Sequence, residues 1–188
     1  SMTRKWRDEG HEVERIQELW NDYVPTQLLP RLHGYELMMA PYVIAHLKIG
    51  LKLYETGYRF ESNIRARVYL TNALDPPQDN SGKLAFAIPA LAHESETVTA
   101  IKKHNSFTAL IGNPPYSQMS QNLDDHSRSL VAPYRYCRGE RIIERGAITF
   151  ERNIQDDYIK FLRLSESIIE KTGVGVVGLI TNHSFLSN

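Results

Sequence analysis

Apolar residues first recur at helical spacing at Val13, Ile16, Leu19, Trp20 and Val24, which predicts a helix over residues 12–29. Pro25 and Pro30 bracket its end. A short strand is expected from Leu32 to Met38. A second helix opens at Pro41, a residue suited to a first turn, and Gly57 ends it. Ile44, Leu47, Leu51 and Tyr54 form its apolar stripe, with Lys48, Lys52 and Glu55 opposite. The run from Ala66 to Thr71 predicts a strand, closed by Asp75-Pro76-Pro77, and residues 78–83 read as a polar surface loop. A helical stretch from Pro89 to Lys103 leads to Phe107–Ile111, bounded by Asn105 and Gly112. This short apolar run is expected to be a strand buried on both faces. Residues 117–150 are polar and irregular in pattern. Tyr158, Phe161, Leu162, Ser165, Ile168 and Ile169 mark a helix stopped by Gly173, and Val174–Thr181 is the last predicted strand.

Alternation of helix and strand argues for an α/β fold with a mostly parallel sheet and helices on both faces. The 188 residues suit one domain. In open parallel sheets ligands bind beyond the carboxyl ends of the strands. Three predicted strand ends carry polar or unusual residues: Tyr35-Glu36, Thr71-Asn72 and Gly112-Asn113-Pro114-Pro115-Tyr116.

Composition narrows this picture from outside. A content of 41% hydrophobic and 23% charged residues is that of an ordinary soluble globular protein. The apolar stretches are too short to span a bilayer, so no membrane partner is expected. No signal peptide opens the chain, and Ser1-Met2 reads as a remnant of tag cleavage. The single cysteine, Cys137, excludes an internal disulfide and fits a reducing cytoplasm. With a formal net charge of zero, nothing global advertises nucleic acid. If DNA is the partner, the positive charge is local or lies outside this chain.

The third strand end carries the most chemistry. Two consecutive prolines fix the backbone and remove two amide donors, leaving carbonyls to accept hydrogen bonds. Asn113 adds a side-chain carbonyl and Tyr116 a flat aromatic face. An exocyclic amino group is a poor nucleophile, because its lone pair is delocalised into the ring. Two acceptors gripping its hydrogens would localise that pair and aim it at an electrophilic methyl group, with the remaining acceleration coming from positioning. Stacking on Tyr116 could contribute on the order of 1–3 kcal/mol toward holding an extruded base. The same four residues can also be a plain turn after a strand.

Leu110-Ile111-Gly112-Asn113-Pro114-Pro115-Tyr116-Ser117 resembles the catalytic motif of amino-methyltransferases that use S-adenosylmethionine. His33 to Tyr42, with Ile44 to Lys48, is similar to their cofactor-ribose strand and following helix. Glu151-Arg152-Asn153, Gln155 to Phe161 and Gly178 to Leu186 look like the later motifs. The resemblance runs from about Glu18 to Asn188 and is closest to the methyltransferase part of large single-chain restriction–modification enzymes. It implies a Rossmann-like fold, S-adenosylmethionine as cofactor, and N6 methylation of a flipped-out adenine in double-stranded DNA, in a bacterial cytoplasm. It also implies helicase, nuclease and target-recognition domains of the same polypeptide as partners.

By that resemblance, Glu36 accepts hydrogen bonds from the cofactor ribose. Asn72 holds the position, usually acidic, that reads the cofactor's adenine amine, with Asp75 as fallback. Asn113 and the Pro114 carbonyl bind the target amine beside Pro115, and Tyr116 stacks on the flipped base. Phe185 lies on the base's other side or is a core aromatic.

The family's glycine-rich cofactor loop, expected before a helix like Glu12–Leu29, has no counterpart. Gly10 and Gly34 are isolated, and Gly173 and Gly175 fall between a helix and a strand. Residues 3–188 are therefore expected to be part of a catalytic domain without its first strand and C-terminal strands, with an insertion at 117–150. By itself the chain is expected to bind cofactor weakly and to be inactive.

Arg128, Arg135, Arg138, Arg141, Arg145 and Arg152 follow the motif, interleaved with Tyr134 and Tyr136. They read as a strip for DNA phosphates, Arg138 and Arg141 foremost, or equally as a solvated loop diluted by Glu140, Glu144 and Glu151. No histidine pairs with another ligand at metal spacing, and Ser117 and Ser120 lack a triad pattern, so neither a metal site nor a nucleophile is expected. A cytosine amino-methyltransferase, a protein-glutamine methyltransferase and a non-catalytic module that binds DNA or a partner domain are the rival readings.

Overall fold

The computed structural model describes residues 2–77, 89–104, 106–115, 120, 122–143 and 153–181. The chain divides into two compact units, residues 1–73 and 74–188. Its architecture is mixed helix and strand with small parallel sheets.

In the first unit, α1 (Met2–Asp8) and α2 (Val13–Tyr23) precede β1 (His33–Glu36), α3 (Met39–Glu55) and β2 (Arg67–Leu70). The helix expected over residues 12–29 changes type part-way. After α2, a π turn at Val24–Leu28 and a 3-10 turn at Leu29–Arg31 carry the chain to β1. Pro25 explains the change, because it has no N–H to continue the α ladder. The ladder reopens on a wider register, in which the Leu29 N–H donates to the Val24 carbonyl. Both ends of this turn are core. Val24 and Leu29 pack with Leu53 and Tyr58, flanked by Trp20, Leu28, Ile49 and Ala66.

The apolar stripe expected on α3 is corrected. Ile44, Leu47, Leu51 and Tyr54 are 50%, 61%, 53% and 71% exposed. The covered face is instead Tyr42, His46, Ile49 and Leu53, and His46 Nε2 lies 3.2 Å from the Val68 carbonyl of β2. The helix is apolar on two sides, so periodicity alone could not choose between them. Gly57 closes α3 in a left-handed conformation (φ 87°), and its carbonyl accepts from the Gln17 side chain. A Cβ there would lie 2.7 Å from that amide, the end of a flexible side chain that can shift, so the left-handed backbone is what calls for glycine.

The second unit holds α4 (Pro89–His104), β3 (Ala109–Gly112), α5 (Asp125–Leu130), β4 (Tyr136–Cys137), β5 (Glu140–Arg141), α6 (Asp157–Thr172) and β6 (Val176–Leu179). Gly173, at φ 76°, ends α6 with its N–H on the Ile169 carbonyl. β3 and β6 pair in parallel as the alternation predicted. The expectation that β3 is buried on both faces fails. Ala109 is exposed and Ile111 is 93% exposed, while Leu110 and Gly112 are half-covered. Among the described residues, α6 packs against β6 of this pair. Within the span 117–150, whose pattern is irregular, the described residues 122–143 hold α5, a 3-10 turn at Ala132–Arg135 and the β4–β5 hairpin. That turn is fastened to α6 by Tyr134, whose hydroxyl donates to Glu166 at 2.9 Å. Burial pushes this phenol well above its ordinary range. The 78–83 loop lies outside the described residues.

Candidate active site

β1 and β2 run parallel, with His33 opposite Arg67 and Glu36 opposite Leu70, so both strands end at one edge. There the Thr71 N–H donates to the Glu36 carbonyl at 2.8 Å. The Glu36 side chain folds over its own turn, and Oε1 accepts the Met38 N–H at 2.9 Å. One such bond orients a carboxylate while leaving lone pairs for further donors, such as a pair of hydroxyls. Asn72, next after Thr71, is half-buried at the same edge. Leu37 and Met38, 65% and 63% exposed, add apolar surface beside the carboxylate. Glu36 and Asn72 are thus brought together. Asp75 is not with them in this unit. It belongs to the second, where its carbonyl accepts from Lys102 Nζ on α4 at 3.0 Å. Burial lowers the Lys102 pKa and the Asp75 charge opposes that shift.

In the second unit, the β3–β6 ladder pairs Gly112 with Leu179, and the Ile180 N–H donates to the Gly112 carbonyl at 3.0 Å. Pro114 and Pro115 have no N–H with which to extend the ladder, so the chain must leave the sheet here. Asn113 is exposed at that exit, Pro114 is buried and Pro115 is exposed. A buried ring therefore fixes the backbone directly after the exposed amide. Tyr116 and Phe185 lie outside the described residues.

The arginine strip acquires a shape. β4 and β5 form an antiparallel hairpin pairing Tyr136 with Arg141 and Cys137 with Glu140. Arg138 (φ 52°) and Gly139 (φ 86°) make its turn, both left-handed as a two-residue hairpin of the primed type requires. Arg138 is therefore at the tip and Arg141 on the flank beside Tyr136, and every residue from 136 to 141 is exposed. Arg145 and Arg152 lie outside the described residues.

One cluster escaped the sequence reading. Lys160 on α6 is fully buried beside Asp157, which is 2% exposed. Its Nζ donates to Ser120 Oγ at 2.7 Å and to the Asn122 carbonyl at 2.5 Å. Desolvation lowers the lysine's pKa, opposed chiefly by the Asp157 charge. The available signal was an Asp–Lys pair three residues apart with Tyr158 and Ile159 between them and Phe161 next, a charged pair set among apolar residues. Among the described residues no group of three or more His, Cys, Asp or Glu could hold a metal ion. No described helix is long and apolar enough to cross a membrane.

A family model, the Eco57I restriction-modification methylase, matches residues 32–188. The chain belongs to the Eco57I restriction-modification methylase family. It is accordingly a methyltransferase of the restriction–modification type, acting on DNA. The matched region of this methylase begins just before β1 and takes in both strand edges described above. No curated protein and no solved structure matches the chain.

Proposed function

We propose that this methylase transfers a methyl group from S-adenosylmethionine to the N6 amino group of an adenine flipped out of duplex DNA, as part of a larger restriction–modification enzyme. The observation that carries the reading is the exit of β3, an exposed Asn113 followed by a buried Pro114 at the end of a parallel strand. Its setting in a methylase family supports reading this exit as a base pocket and not as a plain proline turn.

The chemistry asked of these residues is modest. Asn113 Oδ1 and the Pro114 carbonyl accept the two hydrogens of the target amine and hold its lone pair toward the methyl group. Pro115 keeps the carbonyl before it from rotating away, and Tyr116 stacks on the base. Preorganised acceptors of this kind act without reorganising during the reaction. S-adenosylmethionine, when bound, supplies the electrophilic methyl. The residues at the β1–β2 edge fit it, since Glu36 presents an oriented carboxylate for the ribose hydroxyls. Asn72 offers an acceptor for the adenine amine, with Asp75 as the alternative. The parallel pairing of β1 with β2 and of β3 with β6 supports a Rossmann-like reading of the domain. The β4–β5 hairpin, with Arg138 at its tip and Arg141 on its flank, is the segment we assign to the DNA backbone. Helicase, nuclease and target-recognition parts of the same polypeptide complete the proposal, which is set in a bacterial cytoplasm.

Mass spectrometry of nucleosides from DNA of cells expressing the complete enzyme tests this. N6-methyladenine is the expected product. N4-methylcytosine would move the substrate to cytosine, and methylated glutamine with unmodified DNA would move it to protein. No methylated product at all would leave a binding module.

A further inference from the structure

Every residue of the β4–β5 ribbon from Tyr136 to Arg141 is exposed, so packing along the ribbon does not decide where it points. Its root does. The Ile142 N–H donates to the Arg135 carbonyl at 2.9 Å and closes the ribbon there. Two fixed points stand just before that closure. Val131 is fully buried, which fixes where the 3-10 turn sits. Tyr134, half-buried, donates its hydroxyl proton to Glu166 Oε2 on α6 at 2.9 Å. One point of attachment leaves a rotation open, and two define a direction. Glu166 is itself held. The same Oε2 accepts from Arg163 Nη1 at 2.8 Å, and that guanidinium also donates to the two oxygens of Glu170 at 3.1 and 3.2 Å. Arg163 is only 13% exposed, and its planar fork fixes the carboxylates it binds. Burial, and then the bond to Glu166, push the Tyr134 phenol up, so the hydroxyl keeps its proton and remains the donor.

The helix that holds the ribbon also supports the sheet. α6 packs against β6, β6 pairs in parallel with β3, and β3 leads directly into Asn113. We propose that Tyr134 and Glu166 are positioning residues, which set the ribbon's phosphate contacts in register with the base pocket at the end of β3. This rests on the methyl-transfer reading and on the assignment of the hairpin to DNA above. With the bond lost, Arg138 and Arg141 still meet phosphates, but the target base is presented out of line. A misplacement of about 1 Å can cost on the order of a hundredfold in rate.

Two substitutions test the assignment from opposite sides. Tyr134→Phe removes the hydroxyl and keeps the ring, and Glu166→Ala removes the acceptor. In the complete enzyme each is expected to lower kcat for DNA methylation, at saturating DNA, by about tenfold or more. The double variant should be no worse than either single one, because both act through one bond. The salt dependence of DNA binding and the melting temperature should stay near wild type. The ribbon itself is read on the 188-residue chain, whose one cysteine, Cys137, is exposed on β4. A nitroxide on Cys137 is expected to give a slow-motion electron paramagnetic resonance spectrum in the wild-type chain and narrower lines in Tyr134→Phe. Identical line shapes overturn the anchor whether or not methylation is seen. Unchanged kcat, additive losses in the double variant, or activity falling in step with melting temperature overturns the positioning role. Absence of methyl transfer by the wild type is a failure of the methyl-transfer reading, and the line shape still decides the anchor.

Discussion

The Thr71 amide donates to the Glu36 carbonyl at 2.8 Å, so β1 and β2 leave their sheet as one piece. That bond places Asn72 directly after the residue fastened to Glu36, and the Glu36 carboxylate is steered by the Met38 amide at 2.9 Å. A carboxylate and an amide acceptor at one strand edge, with Leu37 and Met38 exposed beside them, suit a ligand that has both hydroxyls and a flat ring.

Charge and turn geometry at Glu36 can be separated. Glu36→Gln keeps an acceptor for the Met38 N–H and loses the charge, whereas Glu36→Ala loses both. Hydrogen bonds to a charged group are each worth about 1.5–3 kcal/mol, so Glu36→Gln in the complete enzyme is expected to weaken cofactor binding by about tenfold or more. Glu36→Ala should weaken it further. Calorimetric titration with S-adenosylmethionine measures both. Equal binding by wild type and Glu36→Gln would remove Glu36 from the ribose site.

Asn113 answers a different question. Asn113→Ala removes one of the two proposed acceptors without touching the β1–β2 edge. Loss of one preorganised hydrogen-bonding group typically costs about a hundredfold to a thousandfold in kcat. Tritium transfer from labelled cofactor to DNA should fall by that order, with cofactor affinity unchanged. Normal transfer by this variant would assign the amine grip to other groups.

How much was legible in the sequence depended on whether a residue's partner was local. Gly57, Gly173 and the paired prolines act through their own backbone, and the elements they close are where the pattern put them. Glu36 and Asn113 could be singled out as candidates because each stands at the end of an apolar run, and the structure puts them at the ends of β1 and β3, where open parallel sheets bind ligands. The α3 stripe failed for the opposite reason. Val43, Ile44 and Leu47 are as apolar as Ile49 and Leu53, and only contact with Val68 and Tyr58 selects the buried side. The β4–β5 hairpin was hidden by Arg138, which occupies a left-handed turn position where asparagine or glycine is the usual signal. Lys160 was not singled out because its partners Ser120 and Asn122 are distant in sequence.

The hairpin makes the arginine proposal sharper. Arg138 at the tip and Arg141 on the flank extend from one exposed ribbon. If both contact phosphates, Arg138→Glu with Arg141→Glu removes two of them. The slope of log K against log salt should then fall by about 2, since each phosphate contact contributes roughly 0.9. Titration of duplex DNA into the complete enzyme at several salt concentrations reads this. An unaltered slope would return the hairpin to a solvated loop.

Asp124 offers a stability test within the chain itself. Its Oδ1 accepts the Ser127 N–H at 2.9 Å and its Oδ2 the Ser127 hydroxyl at 2.6 Å, capping α5 over a fully buried Ser127. These bonds favour the charged carboxylate and hold its pKa below the ordinary 3.8. An acid with a lowered folded pKa contributes stability that is fully present above 3.8 and is lost as pH falls through the folded value. Asp124→Ala should cost about 1 kcal/mol at neutral pH, the usual worth of an N-cap. It should also remove this residue's share of the acid-induced loss. Asp124→Asn keeps an acceptor oxygen for the cap and cannot titrate, so it should lie between the two at neutral pH and match Asp124→Ala in its flatter acid limb. Urea unfolding of all three chains between pH 6 and pH 3 checks the order. Equal stability at neutral pH would show that the α5 cap contributes nothing.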